Sequence, residues 1–191
     1  MRINKSFLAF SRLIHVYVSM ALLTLMIFFS VTGVTLNHPE WFDSNKANVE
    51  EVDFIAPPEL LKAKREGDLL SFLLNENHLN GNRISIEREE SELFITDKGP
   101  GVYLSLSIDL TSGEAFKEMT DYGYWALFND LHKGRNSGVF WSFIIDLSAI
   151  LIIVFSLTGF VLALAQRRMS KTVSVSILTT VFLISIYFIW V

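Results

Sequence analysis

Cysteine is absent from this chain of 191 residues. Its absence excludes disulfide staples, thiolate zinc sites, cysteine nucleophiles and Cys-ligated iron–sulfur clusters. It also excludes covalent c-type haem attachment, which needs a C-x-x-C-H motif. Charge is scarce as well. Asp, Glu, Lys and Arg make up 19% of the residues, against about a quarter in ordinary soluble domains. No phosphate-cradling loop is present, because Asn80-Gly81-Asn82 and Gly99-Pro100-Gly101 are turns with no helix start behind them. The spacings support no Ser-His-Asp hydrolase, and the several polar, interrupted spans of a transporter are missing. What is abundant is apolar surface: 51% of residues, with a mean hydropathy of +0.39.

The apolar residues fall into three runs, each long enough for the roughly 20 residues that cross a bilayer. They extend from about Leu13 to Leu36, from about Val139 to Ala165 and from about Thr172 to Val191. The first holds no charged residue and the second holds one, Asp146. Two short cationic groups, neither accompanied by an acid, flank the runs. Arg2, Lys5 and Arg12 precede the first, and Arg167, Arg168 and Lys171 separate the second from the third. By the positive-inside rule these segments are cytoplasmic. The segment from Asn37 to Gly138, with 10 Lys/Arg against 19 Asp/Glu and a net charge of −9, is then extracytoplasmic. The chain thus reads as a multi-pass protein of a bacterial inner membrane, with its N-terminus inside and both the large loop and the C-terminus in the periplasm. The first run is too long for a signal-peptide core and no small-residue cleavage site follows it, so it reads as an uncleaved anchor.

The loop is large enough for a small domain. Pro57-Pro58 opens a helical pattern carried by Leu60, Leu61, Leu69, Leu70, Phe72, Leu73 and Leu74, and Asn80-Gly81 stops it. Alternation predicts strands at Arg83–Ile86, Leu93–Thr96 and Val102–Ile108, with turns at Lys98–Gly101 and Asp109–Gly113. An aromatic amphipathic helix from Tyr122 to Lys133 leads back to the membrane. The expected fold is therefore a membrane α-helical protein with an α+β extracytoplasmic domain, one helix on an antiparallel sheet of three or four strands. Its parts are residues 1–37 (tail and first span), 38–138 (the domain), 139–166 (second span) and 171–191 (third span). A short repeat joins the first two spans: Phe29-Ser30-Val31-Thr32-Gly33-Val34 matches Phe155-Ser156-Leu157-Thr158-Gly159-Phe160. Because the spans run in opposite directions, this is an inverted repeat, and its small residues read as a packing device.

Three of four histidines mark span ends. His15 lies one turn inside the first span, His38 just past its outer end, and His132 just before the second. His78 follows the loop helix and reads as a surface residue. Membrane haem is held by neutral imidazoles, often two at one depth. His15 and His38 are 23 residues apart, roughly 34 Å along a helix, too far to share a haem. His38 and His132 share the outer side and could meet around one. Lys133 and Arg135 would then neutralise the propionates, and Gly134 and Gly138 would admit a flat ring. His15 is left to pair with His15 of a second subunit, to use another axial ligand, or to bind nothing. A mononuclear metal on His38, His132 and Asp130 is an alternative, as is no ligand at all, since imidazoles suit bilayer edges. Asp146, some five residues into the second span, either reaches headgroup water, pairs with a nearby cation or His38, or relays protons.

Arg12-Leu13-Ile14-His15, Thr32-Gly33-Val34-Thr35-Leu36-Asn37-His38-Pro39-Glu40-Trp41-Phe42, Leu131-His132-Lys133-Gly134-Arg135-Asn136-Ser137-Gly138 and Ser156-Leu157-Thr158-Gly159 together resemble the PepSY-associated transmembrane helix family, in its short three-span form. The Ile108–Glu114 turn is similar to the end of a PepSY domain. The resemblance spans nearly the whole chain. Larger members are membrane reductases that pass electrons through b-type haem to ferric siderophores or periplasmic acceptors. It implies His15, His38 and His132 as haem-iron ligands and a periplasmic redox protein or ferric chelate as acceptor. This chain has fewer spans and fewer histidines than those members, so either it forms a homodimer, or it holds a single outer haem, or haem is not part of the short form.

Three functions follow as expectations. The first is an inner-membrane b-haem electron-transfer subunit. The second is a non-redox docking module anchored in membrane lipid, which adds a partner's strand at a sheet edge near Val102–Ile108. The third is an accessory subunit of a larger membrane complex, packed through the third span. The acidic loop argues against nucleic acid as a partner.

Overall fold

Thirty-three residues without a proline form the first helix, α1 (Lys5–Asn37), and it stops where His38 precedes Pro39. The ring of a proline disfavours helical backbone at the residue before it, and His38 sits at φ −132°, ψ 62°. In this computed structural model, residues 4–42, 47–62, 65–166 and 169–190 are described. Arg2, Arg167 and Arg168, used above to orient the spans, lie outside them. After α1 come β1 (Asn48–Ile55), α2 (Glu66–Asn75), β2 (Ile84–Arg88), β3 (Glu92–Gly99), β4 (Val102–Asp109), β5 (Glu114–Asp121), α3 (Gly123–Lys133), α4 (Gly138–Leu164) and α5 (Met169–Trp190). Three segments are long and apolar enough to span a bilayer: Lys5–Asn37, Gly138–Leu164 and Lys171–Trp190. The protein is a multi-pass membrane protein.

The chain divides into two compact units, one of residues 27–145 and one of residues 1–26 with 146–191. In the first, five antiparallel strands lie in the order β1-β5-β4-β3-β2. Alternation decides the faces. Leu93 and Ile95 of β3 and Leu104, Leu106 and Ile108 of β4 are all buried, and they form a core with Leu69 and Leu73 of α2, Leu79, Ala56 and Ala115. The opposite face carries Phe94 and Phe116, both partly exposed. There Asp53, Glu92, Asp109 and Glu114 surround Phe116 in an open cavity.

The sheet is larger than the alternation predicts, because β1 and β5 are added to the expected strands. The edges are accordingly β1 and β2. Val102–Ile108 belongs to β4, which is hydrogen-bonded to β3 on one side and β5 on the other, so it has no free edge for strand addition. The helix expected from Pro57 is also split. Pro58–Leu60 makes one 3₁₀ turn, and α2 begins only at Glu66.

The loop between α2 and β2 is held by one buried side chain. Asp97, 1% exposed, accepts backbone N–H bonds from Asn80 and Gly81 at 2.7 Å, Asn82 at 3.0 Å and Arg83 at 3.2 Å. A carboxylate in an apolar core needs such partners, and charge-assisted bonds are the strong ones. His78, read as a surface residue from sequence, is half-buried and stacks on Phe54 with ring centroids 3.7 Å apart. Burial, and then the Lys117 ammonium, hold its pKa below the usual imidazole value.

Two outcomes follow. Asp97→Asn should weaken the Asn80–Arg83 loop by about 3 kcal/mol, since several amides lose a charged acceptor. The amides of residues 80–83 should then exchange with deuterium roughly a hundredfold faster; unchanged exchange would refute the assignment. For His78 the unfolded chain takes up its proton first, so this residue removes stability as pH falls below about 6.5. Histidine NMR should place the His78 midpoint below that value, and Lys117→Ala should raise it.

Candidate functional site

Each copy of the Phe-Ser-x-Thr-Gly repeat holds one histidine. In the unit of residues 27–145, the last turn of α3 brings His132 against α1. Its Nδ1 lies 2.6 Å from Thr32 Oγ1, and its ring meets Phe29 edge-on, with centroids 5.2 Å apart at 79°. In the other unit, His15 of α1 meets α4. Its Nδ1 lies 3.0 Å from Thr158 Oγ1 and 3.2 Å from the Phe155 carbonyl oxygen, and its ring stacks on Phe155 at 4.5 Å. The repeat glycine faces Cε1 of the imidazole in both places. A Cβ on Gly33 would lie 3.8 Å from it, and one on Gly159 only 3.1 Å. The second site therefore has room for glycine and little more.

The hydroxyls decide the tautomer. Thr32 donates its proton to the Phe28 carbonyl at 2.7 Å, and Thr158 donates to the Val154 carbonyl at 2.8 Å. With its own proton committed, each Oγ1 accepts from Nδ1–H. The Phe155 carbonyl, which can only accept, requires the same of His15. Assigned from this network, both neutral rings carry hydrogen on Nδ1 and a lone pair on Nε2. A histidine that ligates a metal ordinarily has its other ring N–H fixed in this way.

His132 is held from several directions. Asn129 Oδ1 accepts the Thr35 hydroxyl at 2.6 Å. Asp130 Oδ2 accepts the Gly101 N–H at 3.0 Å, and the Trp141 indole donates to the Leu131 carbonyl at 2.7 Å. Gly101 sits at φ +69°, and a Cβ there would come within 2.7 Å of the Leu127 nitrogen. The β3–β4 hairpin thus packs against α3 through a position that only glycine can occupy. After His132, α3 ends at Gly134 in the left-handed conformation, φ +65°.

The other residues singled out from sequence lie elsewhere. His38 stacks on Trp41 at 3.9 Å. Its Nδ1 is 3.4 Å from a Glu40 oxygen and its Nε2 is 3.3 Å from the Asn37 amide nitrogen, so both ring nitrogens face chain neighbours. Asp130 is committed to Gly101. No cluster of three or more His, Asp or Glu suited to a metal ion occurs among the described residues, and the mononuclear site drawn on His38, His132 and Asp130 is not assembled. Lys133 is exposed, and Arg135 lines a cavity that does not include His132. Asp146 is exposed on α4, with no ion pair among the described residues. The residues that sequence reasoning passed over are Thr32, Thr158, Phe29 and Phe155. Their signal was the repeat itself, read there as packing alone.

A family model described as PepSY_TM-like matches residues 9–191. The chain belongs to the PepSY_TM-like family. Both clamped histidines and both repeat copies of this PepSY_TM-like chain fall within the matched stretch. No curated protein and no solved structure matches it.

Thr32→Val and Thr158→Val keep the side-chain shape and remove the acceptor. Each should cost about 1 kcal/mol; Thr32→Val releases His132 to the other tautomer, whereas the Phe155 carbonyl still holds Nδ1–H of His15 in Thr158→Val. Nitrogen-15 NMR of labelled histidine reads this directly: the Nδ1–H signature of His132 should disappear in Thr32→Val and persist in Thr158→Val.

Proposed function

We propose that the protein is a b-haem electron-transfer subunit of reductase type in a bacterial inner membrane, with its N-terminus and the α4–α5 connection cytoplasmic. It delivers electrons to a periplasmic acceptor, a flavoprotein or a ferric chelate. The reading is carried by one observation: the repeat threonines and helix carbonyls fix both His15 and His132 with Nδ1 protonated and Nε2 as the lone-pair nitrogen. That is the form in which imidazole binds haem iron. The donor set fits haem with one imidazole per site. His132 and His15 would be the ligands, with Phe29 and Phe155 beside the rings and Lys133 available to a carboxylate. Haem supplies a one-electron ferric–ferrous couple when bound. A second imidazole at each site would come from another copy of the chain or from a neighbouring subunit. His38, with Asn37 and Glu40 at its ring nitrogens, is the weaker candidate, so the pairing of His38 with His132 around one haem gives way to separate sites.

A second reading rests on the open face of the sheet. Phe94 and Phe116 are 36% and 41% exposed there, Phe116 in a cavity lined by carboxylates, and β1 and β2 are the sheet edges. Such a face suits docking of a basic periplasmic protein. Docking can accompany electron transfer or replace it.

Purification in detergent after haem-replete expression, with absorption spectra before and after dithionite, separates the two. Soret and α bands should be present. His132→Ala and His15→Ala should each lower haem content, and His38→Ala should leave it unchanged. Absence of the bands from the wild-type protein overturns the redox reading and leaves docking. Equal loss in all three variants overturns the choice of ligands.

A further inference from the structure

In the unit of residues 27–145, three cations are gathered with no counter-ion. Arg83 before β2, Lys98 near the end of β3 and Arg135 just after α3 line one cavity of about 700 Å³, together with Ser85, Thr96 and Asn136. No acid lines it. None of the three cations forms an ion pair among the described residues. This is unusual in a segment whose acids outnumber its bases by 19 to 10. Like charges lining one cavity repel one another, and an anion between them removes that penalty. The walls are also ordered. Ser85 and Thr96 are register partners across β2 and β3, and the Arg83 backbone is pinned by its N–H bond to Asp97.

A second cavity, of about 690 Å³, shares Arg83 and Asn136 with the first and continues to Ser137, Gly138 and Ser142. Ser137 Oγ is buried there with no hydrogen-bond partner among the described residues. A buried hydroxyl left unpaired is costly, and a ligand oxygen would satisfy it. Gly138 begins α4, whose first turn presents unpaired N–H groups. Cations, hydroxyls, an orphaned serine and free amides are together the donor set of a phosphate group.

We propose that the joined cavities bind the phosphate of an anionic phospholipid headgroup. The lipid source is favoured over free phosphate because α4 is a membrane-spanning segment, and its first turn is where headgroups lie. The site does not depend on haem, and its test is independent of the redox reading. The full-length protein in detergent is titrated with phosphatidylglycerol, phosphatidylcholine or inorganic phosphate, and binding is read by native mass spectrometry. Phosphatidylglycerol should bind in preference to phosphatidylcholine, and millimolar phosphate should not displace it. The triple variant R83Q/K98Q/R135Q should bind phosphatidylglycerol about a hundredfold more weakly, each cation near a headgroup being worth roughly fivefold. Should circular dichroism find the triple variant unfolded, R83Q/K98Q is read in its place, with an expected loss of roughly 25-fold. Equal binding of the two lipids, wild-type affinity in the folded variant, or displacement by phosphate would each overturn the proposal.

Discussion

A hydrogen bond from imidazole to threonine underlies the rest of the membrane architecture. Neutral histidine has two tautomers, and in an apolar setting the neighbour that accepts its one N–H decides between them. Here that neighbour is a hydroxyl whose own proton is already given to a helix carbonyl one turn back. In this arrangement the threonine is the acceptor. Phenylalanine sets the ring plane from one side, and glycine lets the ring approach the helix backbone. The same three residue types do this twice, on α1 for His132 and on α4 for His15.

Bringing a histidine to such a receptor takes different means in the two places. His15 is a residue of a long apolar helix and meets α4 directly. His132 lies at the end of an eleven-residue helix, and its position depends on polar bonds made by its neighbours in sequence. Asn129, Asp130 and Leu131 each use one group to tie α3 to a different element, namely α1, the β3–β4 hairpin and α4. Their role is to place the next residue.

The spans were legible in the sequence because hydropathy over 20 residues is a strong signal and little else produces it. Strands β3 and β4 were legible because both alternate cleanly over a buried face. Strand β1 was not, because it is an edge strand with seven of its eight residues exposed and three acids, so no buried face patterns it. Strand β5 places Phe116 on the open face and Lys117 among the core-side positions, against the rule that strands are read by. His78 was misjudged because the partner that buries it, Phe54, is distant in sequence. In the candidate site the histidines were visible, and so was the repeat. The link between them was not, since spacing along a chain does not reveal that residue 132 returns to residue 32.

The contact between Asp130 and Gly101 gives the His132 site a mechanical connection to the five-stranded sheet. The hairpin tip is rigidly packed on α3, and two residues farther along that helix is the ring. A protein that grips the sheet and shifts the hairpin would drag the imidazole across the threonine that holds it. Occupancy of the sheet surface and the geometry at the imidazole would then be two readings of one displacement.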